Sequence, residues 1–320
     1  MIKDRSIAIE TGGVRLDAAL LLHFPTSSRT LVRAAIAKGE VLVNGRPAVK
    51  GLKLRGGETV VVSRLLEASD NHVAPNPAVH ASLVHEDAAL LAFDKPVCLP
   101  VQPLSCDETG TLMNGVVAAY PECAAVGDNP LMAGALHRID AGTSGLVLVA
   151  RNQDAFDRLR AQFAAQSVRK TYLALVEGTV ADCGTLENDL VHDPTLPYCR
   201  MLDARRNRLT MAEKAKLRPM HAVTSFVPVG CTRAGNEVRT LLEVVIYTGV
   251  THQIRAQLAG AGMHIVNDRL YGAFAVEGQV GHCLHALSAE FVHPATGEKT
   301  KIATPLPAWA TETARQASKR

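Results

Sequence analysis

Residues 136–152 read LHRIDAGTSGLVLVARN. A charged pair, Arg138 and Asp140, precedes a turn-rich step, AGTSG at 141–145, and an unbroken apolar run follows at 146–150. A short apolar run bounded by turn residues is the pattern of a buried strand. A loop that feeds such a strand holds its side chains on a rigid frame, so Asp140 is a candidate reactive carboxylate. The same residues allow a plainer reading, in which Asp140 caps the turn and Arg138 only pairs with it. On local pattern both readings stand.

The 320 residues are enough for one large domain or two of ordinary size, and 47% hydrophobic residues supply a core. Aromatics are only 4%, so that core is mainly aliphatic. The net charge of +3 is unevenly placed. Residues 1–64 hold eleven Lys/Arg and five Asp/Glu, a net of +6, whereas 65–320 hold twenty-three and twenty-six, a net of −3. A basic N-terminal part is the footprint of a polyanion partner. Seven scattered cysteines without a C-x-x-C pair argue against a disulfide framework and fit a reducing compartment. The one local cluster, His282-Cys283 with His285, lacks the second ligand pair of a zinc spacing, so no metal is expected. The opening MIKDRSIAIE has no apolar signal core, and 18–22 is too short to span a bilayer. These features predict a soluble, cytoplasmic protein, read as a monomer.

Residues 13–63 read as one compact unit. Val14, Leu16, Ala19 and Leu20 recur at helical spacing, and Ser27-Ser28 forms an N-cap signal ahead of a helix over 30–38, with Gly39 as its stop. A strand at 41–43 meets Asn44-Gly45, the strongest two-residue hairpin signal, and a last strand is expected at 59–63. Residues 64–79, with two prolines and no periodicity, read as a linker. A second domain over 80–310 then brings strands at 82–84, 89–93, 146–150, 173–176 and 241–247, and helices at 112–120, around 156–163 and at 252–259, before a tail at 311–320. The stretch 199–218, with seven Lys/Arg against two acids, is a second basic element that fits either an RNA contact or a solvated loop.

Three polar constellations stand out in the second domain: Arg138/Asp140, Lys170/Tyr172 and His252/Arg255. They form neither a Ser-His-Asp triad nor a metal site, and the chain has no G-x-S-x-G or phosphate-binding loop. An arginine against a carboxylate keeps it charged, and a charged carboxylate in a walled pocket is a nucleophile or a base.

Residues 14–62 are similar to the small RNA-binding domain named after ribosomal small-subunit protein four. The match rests on R-L-D at 15–17, S-R-x-x-V-R at 28–33, the K-G-x-V-x-V-N-G hairpin at 38–45 and the closing G-x-x-V. That resemblance implies binding of structured RNA through the two-helix face, with Arg29, Arg33, Lys38 and Arg46 as contacts. The segments HRIDAGTSGLVLVA, RKTYLALVEG and THQIR…DRLYG, flanked by LLAFDKP and LHALSAEFVHP-TG, resemble the RluA-type RNA pseudouridine synthases across nearly all of 80–308. The fold so implied is α+β: a small N-terminal two-helix, short-strand RNA-binding domain, then a mixed, mainly antiparallel β-sheet catalytic domain with flanking helices.

The same resemblance implies that Asp140 is the catalytic aspartate in isomerising uridine to pseudouridine, without metal or organic cofactor. Tyr172 would stack on the base, Arg255 would pair with Asp140, and Arg138 would fill the gap left by the flipped nucleotide. His137, Lys170 and Ile254 complete the expected substrate contacts. Asp140 is thus expected to be ionised, close to Arg255 and facing Tyr172. The appended N-terminal domain points to large-subunit ribosomal RNA as substrate, with tRNA as the alternative. Two positions depart from the family's usual pattern: Val250 stands where an arginine precedes the threonine, and Asn267 where a glycine precedes the aspartate. Val250 leaves open a catalytically impaired RNA-binding or assembly factor. A glycosidase using Asp140 and Asp268 as a carboxylate pair is the reading from a third class.

Overall fold

A computed structural model of the chain describes residues 1–196, 200–205, 217–234 and 237–317. Two compact units emerge, one formed by Met1–Val73 with Leu104–Asp107, the other by Ala74–Pro103 with Glu108–Arg320.

In the first unit, α1 (Leu16–His23) and α2 (Arg29–Ala37) pack beside a sheet of β1 (Ile2–Ala8), β2 (Val41–Val43), β3 (Arg46–Pro47) and β4 (Thr59–Leu65), ordered β1-β4-β2-β3. Ser28 starts α2 because its hydroxyl accepts from the Leu31 amide at 3.3 Å, satisfying one orphan donor of the first turn. Asn44 and Gly45 both have positive φ, 50° and 76°, as a type I′ hairpin requires. Asn44 also accepts from the Thr59 amide at 2.9 Å, which ties the hairpin to β4. Leu16, Leu20, Val32, Val41, Leu54, Val60, Val62 and Leu65 are almost wholly buried. Each such side chain contributes roughly 1.5–3 kcal/mol on burial.

This unit is wider than the expected 13–63. Strand β1 pairs antiparallel with β4 from Ile2↔Leu65 to Ala8↔Thr59. Its charged, exposed residues disguise it, as is common at a sheet edge. The start of the expected linker is also folded here, because the N-terminal ammonium meets Glu67 at 2.6 Å and Asp70 at 2.7 Å. Arg29 and Arg46 are exposed; Arg33 and Lys38 are exposed too but engaged, Arg33 with Asp17 at 3.3 Å and Lys38 with Asp107 at 2.9 Å.

The second unit is a sheet of ten strands among the described residues: β5 (Ser82–Glu86), β6 (Leu90–Lys95), β7 (Ser144–Ala150), β8 (Arg169–Glu177), β9 (Gly184–His192), β10 (Met201–Asp203), β11 (Met220–Ala234), β12 (Glu237–Ile246), β13 (Leu284–Val292) and β14 (Lys299–Ala303). The order is β10-β9-β11-β12-β8-β13-β7-β6-β5, with β14 on β13. Every described pairing is antiparallel except β13 with β7. The mixed α+β architecture, with a mainly antiparallel sheet, is therefore as expected. Helices α3 (Leu112–Ala119), α4 (Gln153–Ala164), α5 (Gln253–Gly260) and α6 (Ala308–Ala317) accompany it. Helix α6 runs through most of 311–320, the stretch expected to be a frayed helix or tail. None of the described helices is long and apolar enough to cross a membrane.

Strands β7 and β8 lie inside the sheet, which explains their nearly continuous apolar runs. Strands β9 and β11 carried no clear periodic signal. In β11, Pro228 and Gly230 interrupt the pattern, and the ladder shifts register between them, where a bulge absorbs both residues. Most of the basic stretch 199–218 lies outside the described residues.

Asp17 is buried under the first unit's cations, and bonds from Arg15 and then Arg33 hold its carboxyl at about 2 rather than 3.8. A depressed carboxylate stabilises the fold above its unfolded value and stops doing so as pH falls through the folded one. Asp17→Asn is therefore expected to lower the urea midpoint at pH 7, and the gap from wild type to narrow as pH falls from 4 towards 2.

Candidate active site

The stretch 136–145 enters β7 as a tight turn, closed by the Thr143 amide donating to the Asp140 carbonyl at 3.0 Å. Gly145 has φ 109°, and a Cβ there would lie 2.2 Å from the Ala286 carbonyl on the neighbouring strand. Only glycine allows this approach. Three further groups grip the turn. Lys95, with no exposed surface, donates to the Pro96 carbonyl at 2.7 Å and to the Ala141 carbonyl at 3.2 Å. Burial pulls its ammonium down to about 8, against the attraction of Asp140. His282 shares a 2.7 Å hydrogen bond with the Thr143 hydroxyl, and His285 shares one of 2.8 Å with Ser144. Burial pushes both imidazoles down to about 4, so they are neutral at pH 7. His282 and His285 thus serve the Asp140 turn. The sequence placed them together with Cys283 but could not show what they face.

Helix α5 supplies the cation. Gln253 and Gln257, one turn apart, are buried and dock the helix on the sheet. The Gln253 amide donates to the Val223 carbonyl at 2.9 Å, and the Gln257 amide to the Ala222 carbonyl at 2.9 Å. Arg255, on the same helix, is 7% exposed. Its Nε and Nη2 donate to the two oxygens of Asp268 at 2.7 and 2.8 Å, while Nη1 donates to Asp140 Oδ2 at 2.8 Å. Its guanidinium also lies over the Tyr271 ring, 5.1 Å from the centroid. Burial opposes its charge, but the two carboxylates more than offset this and raise its pKa. His252 stands 3.6 Å from the same Asp140 oxygen and shares a 3.2 Å hydrogen bond with the Tyr271 hydroxyl. Asp140 Oδ1 has no partner among the described residues.

Asp140, Tyr172 and Arg255 line one cavity of about 520 Å³, together with His137, Arg138, Lys170 and Ile254. Every catalytic and substrate-contact residue expected from the sequence meets there, and the volume suits a ligand pocket. Their surroundings differ. Tyr172, on β8 between β12 and β13, is 8% exposed; burial and then the Asp140 charge push its phenol up, so it stays neutral. Arg138 is exposed and Ile254 buried. The His137 ring is held by the framework: Nε2 accepts from the Leu148 amide at 3.1 Å and the ring stacks on Phe163 at 5.3 Å. Burial lowers its pKa to about 3. Lys170, buried and lowered to about 8, donates to the Thr248 carbonyl at 2.7 Å and lies 5.7 Å from the Phe163 centroid.

The two unusual positions have physical explanations. Val250 packs against the apolar cluster of Leu190, Met201 and Ala222. Asn267, at φ 65°, accepts from the Val276 amide at 3.0 Å and donates to the Gln279 and Gly281 carbonyls at 3.1 and 2.7 Å, so it staples the loop that follows. Asparagine tolerates this left-handed backbone and adds the staple a glycine lacks. Asp268 is 2% exposed with both oxygens on Arg255, so it offers no second acid for a glycosidase.

Away from this cavity, His85, Asp87 and His293 also come together. The Ala295 and Thr296 amides donate to His293 Nδ1, both at 3.3 Å, which leaves the proton on Nε2, 3.0 Å from Asp87 Oδ2. His85 Nε2 meets the same oxygen at 2.6 Å. A metal would need a bare Nε2, so this group is a hydrogen-bonded clasp.

Comparison with known proteins gives a consistent picture. The family profile described as RNA pseudouridylate synthase matches residues 89–260, over half of the chain, and the S4 domain profile matches 14–60. The chain is similar to ribosomal large subunit pseudouridine synthase D of Xanthomonas campestris, 35% identical over 92% of this chain and 86% of that protein. The protein of the same name from Neisseria meningitidis serogroup B is 32% identical over 94% and 78%. Among solved structures, human RNA pseudouridylate synthase domain containing 1 superposes with a TM-score of 0.57 at 21% identity, covering 73% of this chain and 87% of that one, a likeness of fold.

The grip on the turn is testable through Gly145. Gly145→Ala forces a methyl group onto the Ala286 carbonyl at an unfavourable φ, and is expected to cost about 3 kcal/mol of stability in urea denaturation.

Proposed function

The chain belongs to the RNA pseudouridylate synthase family, and from that premise we propose that it isomerises uridine in large-subunit ribosomal RNA with Asp140 as the catalytic carboxylate. One observation carries the assignment of Asp140: Arg255 grips one of its oxygens at 2.8 Å, while the other is unpartnered in a cavity walled by Tyr172. The isomerisation breaks the bond between uracil N1 and the sugar, turns the base and joins C5 to the sugar; C5 gives up a proton and N1 gains one. The unpartnered oxygen is the one that acts, while Arg255 holds the carboxylate in place through the other. The neutral Tyr172 ring covers the face of the uracil, and its phenol is one group in the cavity able to carry a proton, beside His252. His137, Lys170 and Ile254 line the same wall.

The target must leave its stack to reach this depth, at a cost of a few kcal/mol. Arg138, exposed on the cavity, fills the gap left behind. The S4 domain holds the RNA through its basic face, with Arg29 and Arg46 free to meet phosphate. The names of the similar proteins support ribosomal RNA over tRNA. An impaired binding factor has only Val250 in its favour; that side chain packs against an apolar cluster and lines the cavity, and the bond between Arg255 and Asp140 forms without an arginine there.

Mapping pseudouridines at base resolution in RNA from cells with and without the protein identifies the target. Asp140→Asn is expected to abolish those sites on complementation while RNA affinity stays within a fewfold; retained turnover would overturn the assignment. Arg29→Ala with Arg46→Ala is expected to weaken RNA binding and to reduce the slope of log affinity against log salt by roughly one for each phosphate no longer neutralised.

A further inference from the structure

The cavity holds more than the groups a single flipped uridine requires. Tyr247, just past the end of β12, lines it together with Phe163, Arg138 and Arg160. It is 46% exposed, whereas Tyr172 is 8% exposed. Its neighbours Ile246 and Thr248 are buried, and the Thr248 carbonyl is the acceptor for Lys170, so the backbone beneath the ring is firmly held. The Tyr247 hydroxyl has no partner among the described residues. The fold therefore makes no evident use of this ring, yet presents it in the wall of the reaction cavity.

An exposed ring beside exposed guanidinium groups is the composition that binds single-stranded nucleotides: the ring stacks on a base and a cation meets the phosphate. Arg138 is exposed; Arg160 is exposed too, although one of its nitrogens donates to the Leu136 carbonyl at 3.2 Å. A flipped uridine brings its neighbours with it, one phosphodiester away on each side. Resting on the function proposed above, we propose that Tyr247 is the platform of a second nucleotide subsite, stacking on the base adjacent to the target uridine, with Arg160 at the phosphate between them. Tyr247 is thus a specificity-determining residue: it favours substrates whose neighbouring base can unstack from the RNA and stack on the enzyme.

The test uses the full chain and a short RNA hairpin carrying the uridine mapped in large-subunit ribosomal RNA. Wild type, Tyr247→Phe and Tyr247→Ala are compared on the intact hairpin and on hairpins made abasic at the nucleotide before or after the target. Tyr247→Ala is expected to raise KM about tenfold with kcat nearly unchanged, and Tyr247→Phe to behave as wild type, because the ring and not the hydroxyl does the binding. Removing the stacked base should raise KM of the wild type by a similar factor, and Tyr247→Ala should lose nothing further on that hairpin. Wild-type kinetics for Tyr247→Ala, or an equal additional loss on both abasic hairpins, would overturn the subsite while leaving the enzyme's function intact. A wild type that forms no pseudouridine in any RNA would overturn the function, and the subsite with it. Thermal melting of the variants separates these outcomes from misfolding.

Discussion

One guanidinium organises the second unit's chemistry. Arg255 is shared between Asp268, which takes two of its nitrogens, and Asp140, which takes the third. The two partners do different things. Asp268, buried and bidentate, sets the plane of the guanidinium; Asp140, partly open to the cavity, is oriented by it. Removing one member of a buried ion pair typically costs about 3–5 kcal/mol, because the remaining charge is stranded. Two carboxylates against one guanidinium also leave a negative charge over. A buried counterweight is Lys95, whose ammonium Asp140 helps to keep charged against the pull of burial.

The positions of the two partners are set by quite different means. Asp140 sits on a turn that is pinned by three side chains, Lys95 from β6, His282 just before β13 and His285 within it, with Gly145 letting the strands close up beside it. Arg255 sits on a short helix with little apolar stripe of its own. That helix is held by buried glutamine side chains bonded to the backbone of β11. Polar groups so deeply buried stabilise only when fully paired, and paired they fix one geometry rather than a family of them. The Asp140 carboxylate is aimed into its cavity by that kind of rigidity.

Much of the frame was legible from local pattern. Ser28 as a cap, Asn44-Gly45 as a hairpin and the apolar run in β7 each depend on chemistry within a few residues, and each stands where expected. Elements that depend on a distant partner were not legible. Strand β1 is charged and becomes a strand only by pairing with β4; β11 crosses a proline and a glycine that a bulge accommodates; the residues after β4 looked like a linker because the contacts that fold them reach back to the N-terminal ammonium. His282 and His285 were visible only as a cluster with a cysteine, since what a histidine does is set by what its two nitrogens face.

The sequence by itself determined the basic N-terminal unit, the capped helix and hairpin within it and the apolar strand after Asp140, which rest on composition, turn chemistry and short spacings, and its family resemblance singled out Asp140, Tyr172 and Arg255. The pairing of Arg255 with Asp140 was already expected; the tertiary structure alone decided that Asp268 takes the rest of the same guanidinium. Asp268 and Asp140 look alike in the sequence, but only one is sealed against both ends of the Arg255 fork while the other keeps an oxygen open to the cavity. That distinction is a matter of burial and direction, and both arise only when the Asp140 turn and the Arg255 helix, 115 residues apart, meet at one cavity.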